Sequence, residues 1–233
     1  LAPLLNVTHC PVKRFGLGQS NAVRAFNLQL GATASAFEIP SCRFQVNLVG
    51  ELNVRNALAV VGAAKHCGIS NTQIQTAFDT FKSVKRRMEV RGVAGGVTVV
   101  DDFGHHPTAI RETLKALRIK YPTQKLWAVF EPRTQSTRRN VFQNDFPTAF
   151  GEADEVIIAE VAFANVLAAE ERLDTGKLEA DLRAKGKRAR FLPDVDTIVR
   201  HLGELAQGGD VICVFTNGGF GNIHQRLLQR LEA

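Results

Sequence analysis

Polar and apolar positions alternate through the first fifty residues, and then the period changes. Arg24-Ala-Phe-Asn-Leu-Gln-Leu30 and Arg43-Phe-Gln-Val-Asn-Leu-Val49 each put apolar side chains on one face of an extended chain. That period of two predicts short antiparallel strands over residues 1 to about 50. Next, Asn53 to Cys67 carries apolar residues at positions 57, 58, 60, 61 and 64, with Gly68 as a stop, and reads as a helix. Ser70 to Lys82 opens with an N-cap residue and Gln73 at the capping-box position. It sets Ile74, Ala77, Phe78 and Phe81 on one face.

The basic run Lys82-Ser-Val-Lys-Arg-Arg87 interrupts this pattern and reads as a linker or domain edge. Beyond it, Met88–Val93 and Val97–Val100 flank Ala94-Gly95-Gly96, a hairpin signature. Strands are then predicted at 125–130, 155–159, 188–192 and 211–215, and helices at 107–120, 138–150, 176–185, 195–206 and 222–231. The first of those helices places Ile110, Leu114, Leu117 and Tyr121 on one stripe. Such alternation implies βαβ units, hence an α/β fold with a doubly wound, mainly parallel sheet. Two domains are expected, residues 1–87 and 88–233.

Composition narrows the function classes. Of 233 residues, 45% are apolar, enough for a core, and no apolar run approaches the ~18 residues a membrane helix needs. The start carries no secretory signal pattern, and Leu1 with the residues after it reads as the interior of a longer chain. Cys10, Cys42, Cys67 and Cys213 lack C-x-x-C spacing and fit free thiols in a reducing cytoplasm. The net charge of +6 comes from clusters at Lys82–Arg91, Arg133–Arg139 and Lys185–Arg190. Aromatic residues are not interleaved with them, so a small anionic substrate is favoured over nucleic acid. Oligomeric state is not encoded in any of these patterns.

Four constellations carry candidate chemistry, and three of them fall between a strand and a helix. Asp101-Asp102-Phe103-Gly104-His105-His106-Pro107-Thr108 follows an apolar strand and starts a helix. One carboxylate can accept ribose hydroxyls and the other can cap the helix. His105 and His106 suit hydrogen bonding to a ligand or capping, since adjacent residues diverge and no third metal ligand stands at a useful spacing. Glu131-Pro-Arg-Thr-Gln-Ser-Thr-Arg-Arg-Asn-Val141 crowds Arg133, Arg138 and Arg139 into one loop, which calls for an anion. Thr216-Asn-Gly-Gly-Phe-Gly-Asn222 offers a glycine-rich turn with Asn217, Gly218 and Gly219. Gly50-Glu-Leu-Asn-Val-Arg-Asn56 opens a helix with Asn53 and Asn56 three apart, where capping competes with reading a base edge. No G-x-x-x-x-G-K-[ST] phosphate loop occurs in the chain.

Taken in chain order, Gly50…Asn53…Asn56, then Arg86-Arg87-Met88-Glu89, then Asp101 to Thr108 resemble the Mur ligases of bacterial peptidoglycan synthesis. The Glu131 and Thr216 motifs are similar to the branch that joins the murein tripeptide L-alanyl-γ-D-glutamyl-meso-diaminopimelate to UDP-N-acetylmuramate during cell-wall recycling. The branch that adds L-alanine is the alternative, and a non-catalytic nucleotide-binding module is another. The resemblance implies a central ATP-binding domain ending near residue 87 and a Rossmann-like C-terminal domain after it. It implies ATP and Mg²⁺, with the phosphate loop, the magnesium ligands and a UDP-sugar domain preceding Leu1, so the chain alone would be inactive. It implies that Asn53, and with it Asn56, meets adenine, Arg87 the nucleotide phosphates and Asp102 the ribose. Phe103, His105 and His106 would line the junction of ATP and substrate, and Arg133, Arg138, Arg139 and the Asn217-Gly218-Gly219 turn the peptide carboxylates. Where the family often carries His before the first Asn, this chain has Leu52. The implied reaction proceeds through an acyl phosphate attacked by the peptide amine.

Overall fold

The computed structural model describes residues 11–232, which divide into two compact units at Lys82/Ser83. Cys10 and the opening residues lie outside the described range.

In the first unit a parallel pair, β1 (Phe15–Gly16) and β2 (Val23–Arg24), precedes an antiparallel sheet of β3 (Phe26–Leu30), β4 (Ser35–Ile39) and β5 (Cys42–Val46). The expectation of antiparallel strands therefore holds for β3–β5 and fails for β1 and β2. The central strand β4 escapes the alternation rule because Ser35, Ala36, Phe37 and Ile39 are all buried. Helices α1 (Glu51–His66) and α2 (Asn71–Thr80) bury Val54, Leu58, Val61, Ile74 and Phe78 against Phe37 and Phe44. Ser70 and Gln73 form the reciprocal capping box that their spacing predicts.

The second unit is a six-stranded sheet in the order β10-β9-β8-β11-β7-β6. Its strands are β6 (Glu89–Ala94), β7 (Val97–Asp102), β8 (Leu126–Phe130), β9 (Glu155–Ile158), β10 (Arg188–Phe191) and β11 (Val211–Phe215). The β6–β7 hairpin is antiparallel and every other pairing is parallel. Helix α3 (Pro107–Lys120), the short α4 (Phe146–Ala149) and α5 (Thr175–Ala184) cover one face, and α6 (Val195–Leu205) and α7 (Ile223–Glu232) the other. The strands feed both layers by simple alternation: Leu126, Ala128 and Phe130 point to the first face, Trp127 and Val129 to the second. This is the doubly wound arrangement that the helix–strand alternation predicts.

Two boundaries differ from expectation. The helix predicted at 138–150 is a 3₁₀ turn, Asn140–Phe142, followed by α4. Pro147 explains the break, because a proline fits the first turn of a helix and not its interior. The unit boundary falls at Lys82/Ser83, where residue 87 was expected, because Arg86 is already bonded into the second unit. Cys42, Cys67 and Cys213 are free thiols. Burial first, then the charges of Asp102 and Asp101, push the Cys213 thiol well above its ordinary range, which leaves it unreactive.

One buried polar tie joins β8 to the start of β11. The Trp127 indole N–H donates to Asp210 Oδ2 at 2.8 Å, and the same oxygen accepts the Gln207 amide at 3.1 Å. Asp210→Ala orphans both donors and is expected to cost about 2–3 kcal/mol. Urea unfolding measures this, and an unchanged midpoint would show that the tie carries no stability.

Candidate active site at the carboxyl edge of the sheet

Strands β7, β11 and β8 lie side by side and parallel, with Asp102, Phe215 and Phe130 in register. The turns that leave them are therefore neighbours, spread over about 10 Å at a spacing of ~4.8 Å per strand. All three strand–turn motifs singled out in the sequence meet on this edge.

The turn after β7 is built around two buried carboxylates. Asp102 accepts the Met88 amide at 2.9 Å on Oδ2 and the Gly104 amide at 2.7 Å on Oδ1. A Cβ on Gly104 would stand 2.6 Å from that Oδ1, so only glycine lets the carboxylate fold back onto its own turn. Burial outweighs these amides and raises the Asp102 pKa. Asp101 faces the other way, 3.1 Å from Arg86 Nε and 3.4 Å from His224 Nε2. Among the described residues, neither Asp101 Oδ1 nor that His224 nitrogen completes a hydrogen bond. Burial alone would raise the Asp101 pKa, but His224 and Arg86 together hold it below the ordinary carboxylate value.

Neither aspartate caps α3, which corrects one expectation. The cap is His106, whose Nδ1 accepts the Thr108 amide at 3.1 Å. Both aspartates end a strand several residues too early to reach the free amides. His105 Nδ1 lies 3.1 Å from the Phe103 carbonyl, which can only accept. In the neutral rings the two histidines are thus opposite tautomers, His105 with Nε2 as acceptor and His106 with Nε2–H as donor. Their rings diverge, toward Phe103 and Phe142 respectively.

Arg86 was named only within the Arg86–Glu89 string and given no role, yet it joins the turns. Its guanidinium donates to the carbonyls of Thr216 at 2.7 Å and Gly218 at 3.1 Å as well as to Asp101. Its amide donates to Glu89 and its carbonyl accepts from Phe103. Arg86 and Met88 both hold left-handed backbone, φ 58 and 48. Such strain costs on the order of 1 kcal/mol each, and these bonds offset it. Phe103 lies under both Arg86 and Arg87, with guanidinium-to-centroid distances of 5.2 and 5.8 Å. Arg87 is exposed.

In the turn after β8, buried Glu131 accepts the Thr216 hydroxyl on one oxygen and lies 3.3 Å from Arg133 with the other. Arg133 crosses Gly218 so closely that a Cβ there would meet its Nε at 2.3 Å. Both Arg133 and Arg138 stack on Phe163, at 5.1 and 5.9 Å. Phe163 is an exposed, left-handed aromatic in the loop after β9, a contributor with no sequence signal. Arg139 is committed to Glu171. Arg138 is different: it is 7% exposed, pairs with no carboxylate among the described residues, and its buried Nε has no acceptor. The buried Asn217 Oδ1 also lacks a donor among the described residues, and Gly219 is exposed beside it.

In the first unit, α1 begins at Gly50, φ 96, without a side-chain cap, so the expectation of capping by Asn53 fails. The helix starts two residues before Asn53, whose amide instead donates to the Val49 carbonyl at 2.8 Å. Exposed Asn56 lies beside it, 3.4 Å from Asn53 Oδ1.

The profile of a family described as "Mur ligase, glutamate ligase domain" matches residues 86–218. The UDP-N-acetylmuramate–L-alanyl-γ-D-glutamyl-meso-2,6-diaminoheptandioate ligase of Escherichia coli K12 is 41% identical over 79% of this chain and 38% of its own length. The UDP-N-acetylmuramate–L-alanine ligase of Polaromonas sp. is 33% identical over 94% of this chain and 50% of its length. The crystal structure of a murein peptide ligase from Psychrobacter arcticus superposes with a TM-score of 0.69 at 29% identity, covering 95% of this chain and 47% of that one. The chain thus spans about half the length of such relatives, or less.

The two aspartates make opposite contributions to acid stability. Asp101, with its folded pKa depressed, stabilises fully above its unfolded value near 3.8 and loses this as pH falls through the folded value. Asp102, with its pKa raised, favours the fold at low pH and loses that as pH rises through the interval above 3.8. Asp101→Asn is therefore expected to lower stability by about 1–2 kcal/mol at pH 7 and by less at pH 3. Urea midpoints at the two pH values check this; equal losses would exclude a charge contribution.

Proposed function

The chain belongs to the Mur ligase family, and on that premise we propose that it is the substrate-delivering part of an ATP-dependent ligase joining a carboxylate-rich peptide to UDP-N-acetylmuramate. The observation that carries the anionic substrate is Arg138. A guanidinium this deeply buried is costly without a counter-charge, and none is supplied among the described residues. A peptide carboxylate supplies it, with Arg133 and the Asn217–Gly218–Gly219 turn alongside. Arg139, already neutralised by Glu171, takes no part. The tripeptide L-alanyl-γ-D-glutamyl-meso-diaminopimelate is the preferred nucleophile, since the 41% relative uses it by name. L-alanine is the second reading, favoured by the 33% relative that covers more of the chain.

ATP supplies the phosphoryl group that converts the sugar carboxylate to an acyl phosphate, which the peptide amine then attacks with loss of phosphate. Exposed Arg87 suits the nucleotide phosphates, and Asn53 with Asn56 the adenine edge. Asp102, with both oxygens on backbone amides, supports the turn from behind and is poorly placed to grip the ribose itself. His105 and His106 offer one acceptor and one donor at the turn's rim. Among the described residues, no group of three or more His, Cys, Asp or Glu side chains could hold a metal ion.

Two measurements test this reading. In the whole protein, Arg138→Ala is expected to cut kcat/KM for the peptide by about 30- to 1000-fold, while Arg139→Ala stays within about threefold. Full activity in Arg138→Ala would overturn the carboxylate assignment. With wild-type enzyme, turnover requires the tripeptide; comparable turnover with L-alanine alone would replace the first reading by the second.

A further inference from the structure

At the amino ends of β8, β9 and β10, on the edge opposite the turns just described, the second unit has a cleft of about 530 Å³. Five cations border it, Lys125, Arg183, Lys187, Arg188 and Arg190, against one acid, Glu155. The fold accounts for part of this charge. Glu155 meets Lys125 at 2.7 Å and its cross-strand neighbour Arg188 at 3.5 Å, and Arg183 pairs with Glu179. Lys187 donates to the carbonyls of Gly151 and Ala153, and its charge helps to lower the pKa of Asp154. Arg190 pairs with no carboxylate among the described residues, and the Arg188 side chain is 80% exposed.

From α6, Leu205 borders the cleft; His201, one turn earlier, lies edge-on to Trp127 at 6.4 Å, and its buried Nε2 has no partner among the described residues. Burial first, then the Arg190 charge, lowers the His201 pKa against the opposing pull of Glu155 and Glu204. Like charges gathered in a concave site repel one another and concentrate anions.

We propose that this cleft is a second anion site that binds the phosphate groups of a small phosphorylated molecule. Arginines dominate it, and their planar forks match phosphate oxygens in bidentate fashion. Its volume falls in the range of small-molecule sites, roughly 300–1000 Å³. Trp127 is fully buried and its ring carries the Lys125 ammonium at 4.1 Å, so no aromatic face is free to stack on a base. Recognition therefore rests on phosphate, and single-stranded nucleic acid, which needs such faces, does not fit. Strands of four to five residues separate the cleft from the carboxyl-edge turns by roughly 13–17 Å, so occupancy does not compete with the peptide.

Trp127 is the sole tryptophan of the chain, and its emission reports on Lys125. Titration of the 233-residue chain with inorganic pyrophosphate and with glucose 1-phosphate, in 150 mM salt, reads the site directly. A saturable emission change is expected, weakened at least tenfold in Arg188→Glu/Arg190→Glu and unchanged in Arg138→Ala. Tighter binding of pyrophosphate supports an inorganic diphosphate as the occupant; tighter binding of glucose 1-phosphate supports a sugar phosphate. If the double charge reversal fails to fold, as read by circular dichroism, Arg188→Gln/Arg190→Gln replaces it. No saturable change up to millimolar ligand, or equal affinity in the folded double variant, would overturn the proposal.

Discussion

The carboxyl edge depends on one guanidinium. Arg86 reaches Asp101 at the end of β7 and the carbonyls of Thr216 and Gly218 beyond β11, so two turns that the sheet merely places side by side become one mechanical unit. Without it, Asp101 would be a buried carboxylate facing only His224, and two carbonyls of the glycine-rich turn would lose their donor. Arginine suits the position because its fork holds several acceptors in fixed geometry, which an ammonium cannot do. The left-handed backbone at Arg86 and Met88 follows from that reach, and the Glu89 and Asp102 carboxylates hold it by accepting the Arg86 and Met88 amides.

The floor beneath this unit is rigid for ordinary reasons. Strands β7, β8 and β11 are buried on both faces, and their side chains alternate strictly between two helix layers. A close-packed sheet of this kind permits little adjustment at its edge. Polar groups there must be satisfied in place or left for a ligand. Most are satisfied: Asp102 by two amides, Glu131 by Thr216 and Arg133, Thr216 by Glu131 and the Gly218 amide. Arg138 Nε and Asn217 Oδ1 are not, and their complementary character, one donor and one acceptor, suits a substrate bearing both carboxylate and amine.

The elements were legible where periodicity had one cause. Helix α3 and strands β8 and β11 match their expected spans because each has a clear apolar period and a clear stop. Strand β4 was obscured by burial on both faces, and the helix expected at 138–150 by a proline whose effect depends on its place within the turn. Site residues were legible as motifs, because strand–turn–helix junctions of a parallel sheet must share an edge. Roles within a motif were less so. Asp101 and Asp102 are adjacent and chemically identical, and only the pleat decides that one faces Arg86 and the other Met88. Arg86 and Arg87 pose the same problem, since one is the clamp and the other is exposed. Phe163 could not be read at all, because its stacking follows from a loop conformation that no spacing encodes.

The charge left over at the carboxyl edge argues for the kind of molecule that comes there. Asp101, Asp102, Glu89 and Glu131 are all turned to partners within the protein. None of these four carboxylates is free to act as a base on a ligand. The cations are not balanced in the same way: Arg87 is exposed, Arg133 shares an acid that also serves Thr216, and Arg138 has none among the described residues. Turns that commit these four acids to their own backbone and side chains and present their arginines stabilise negative charge. That suits chemistry in which activation comes from a phosphoryl donor and the second substrate arrives with carboxylates of its own.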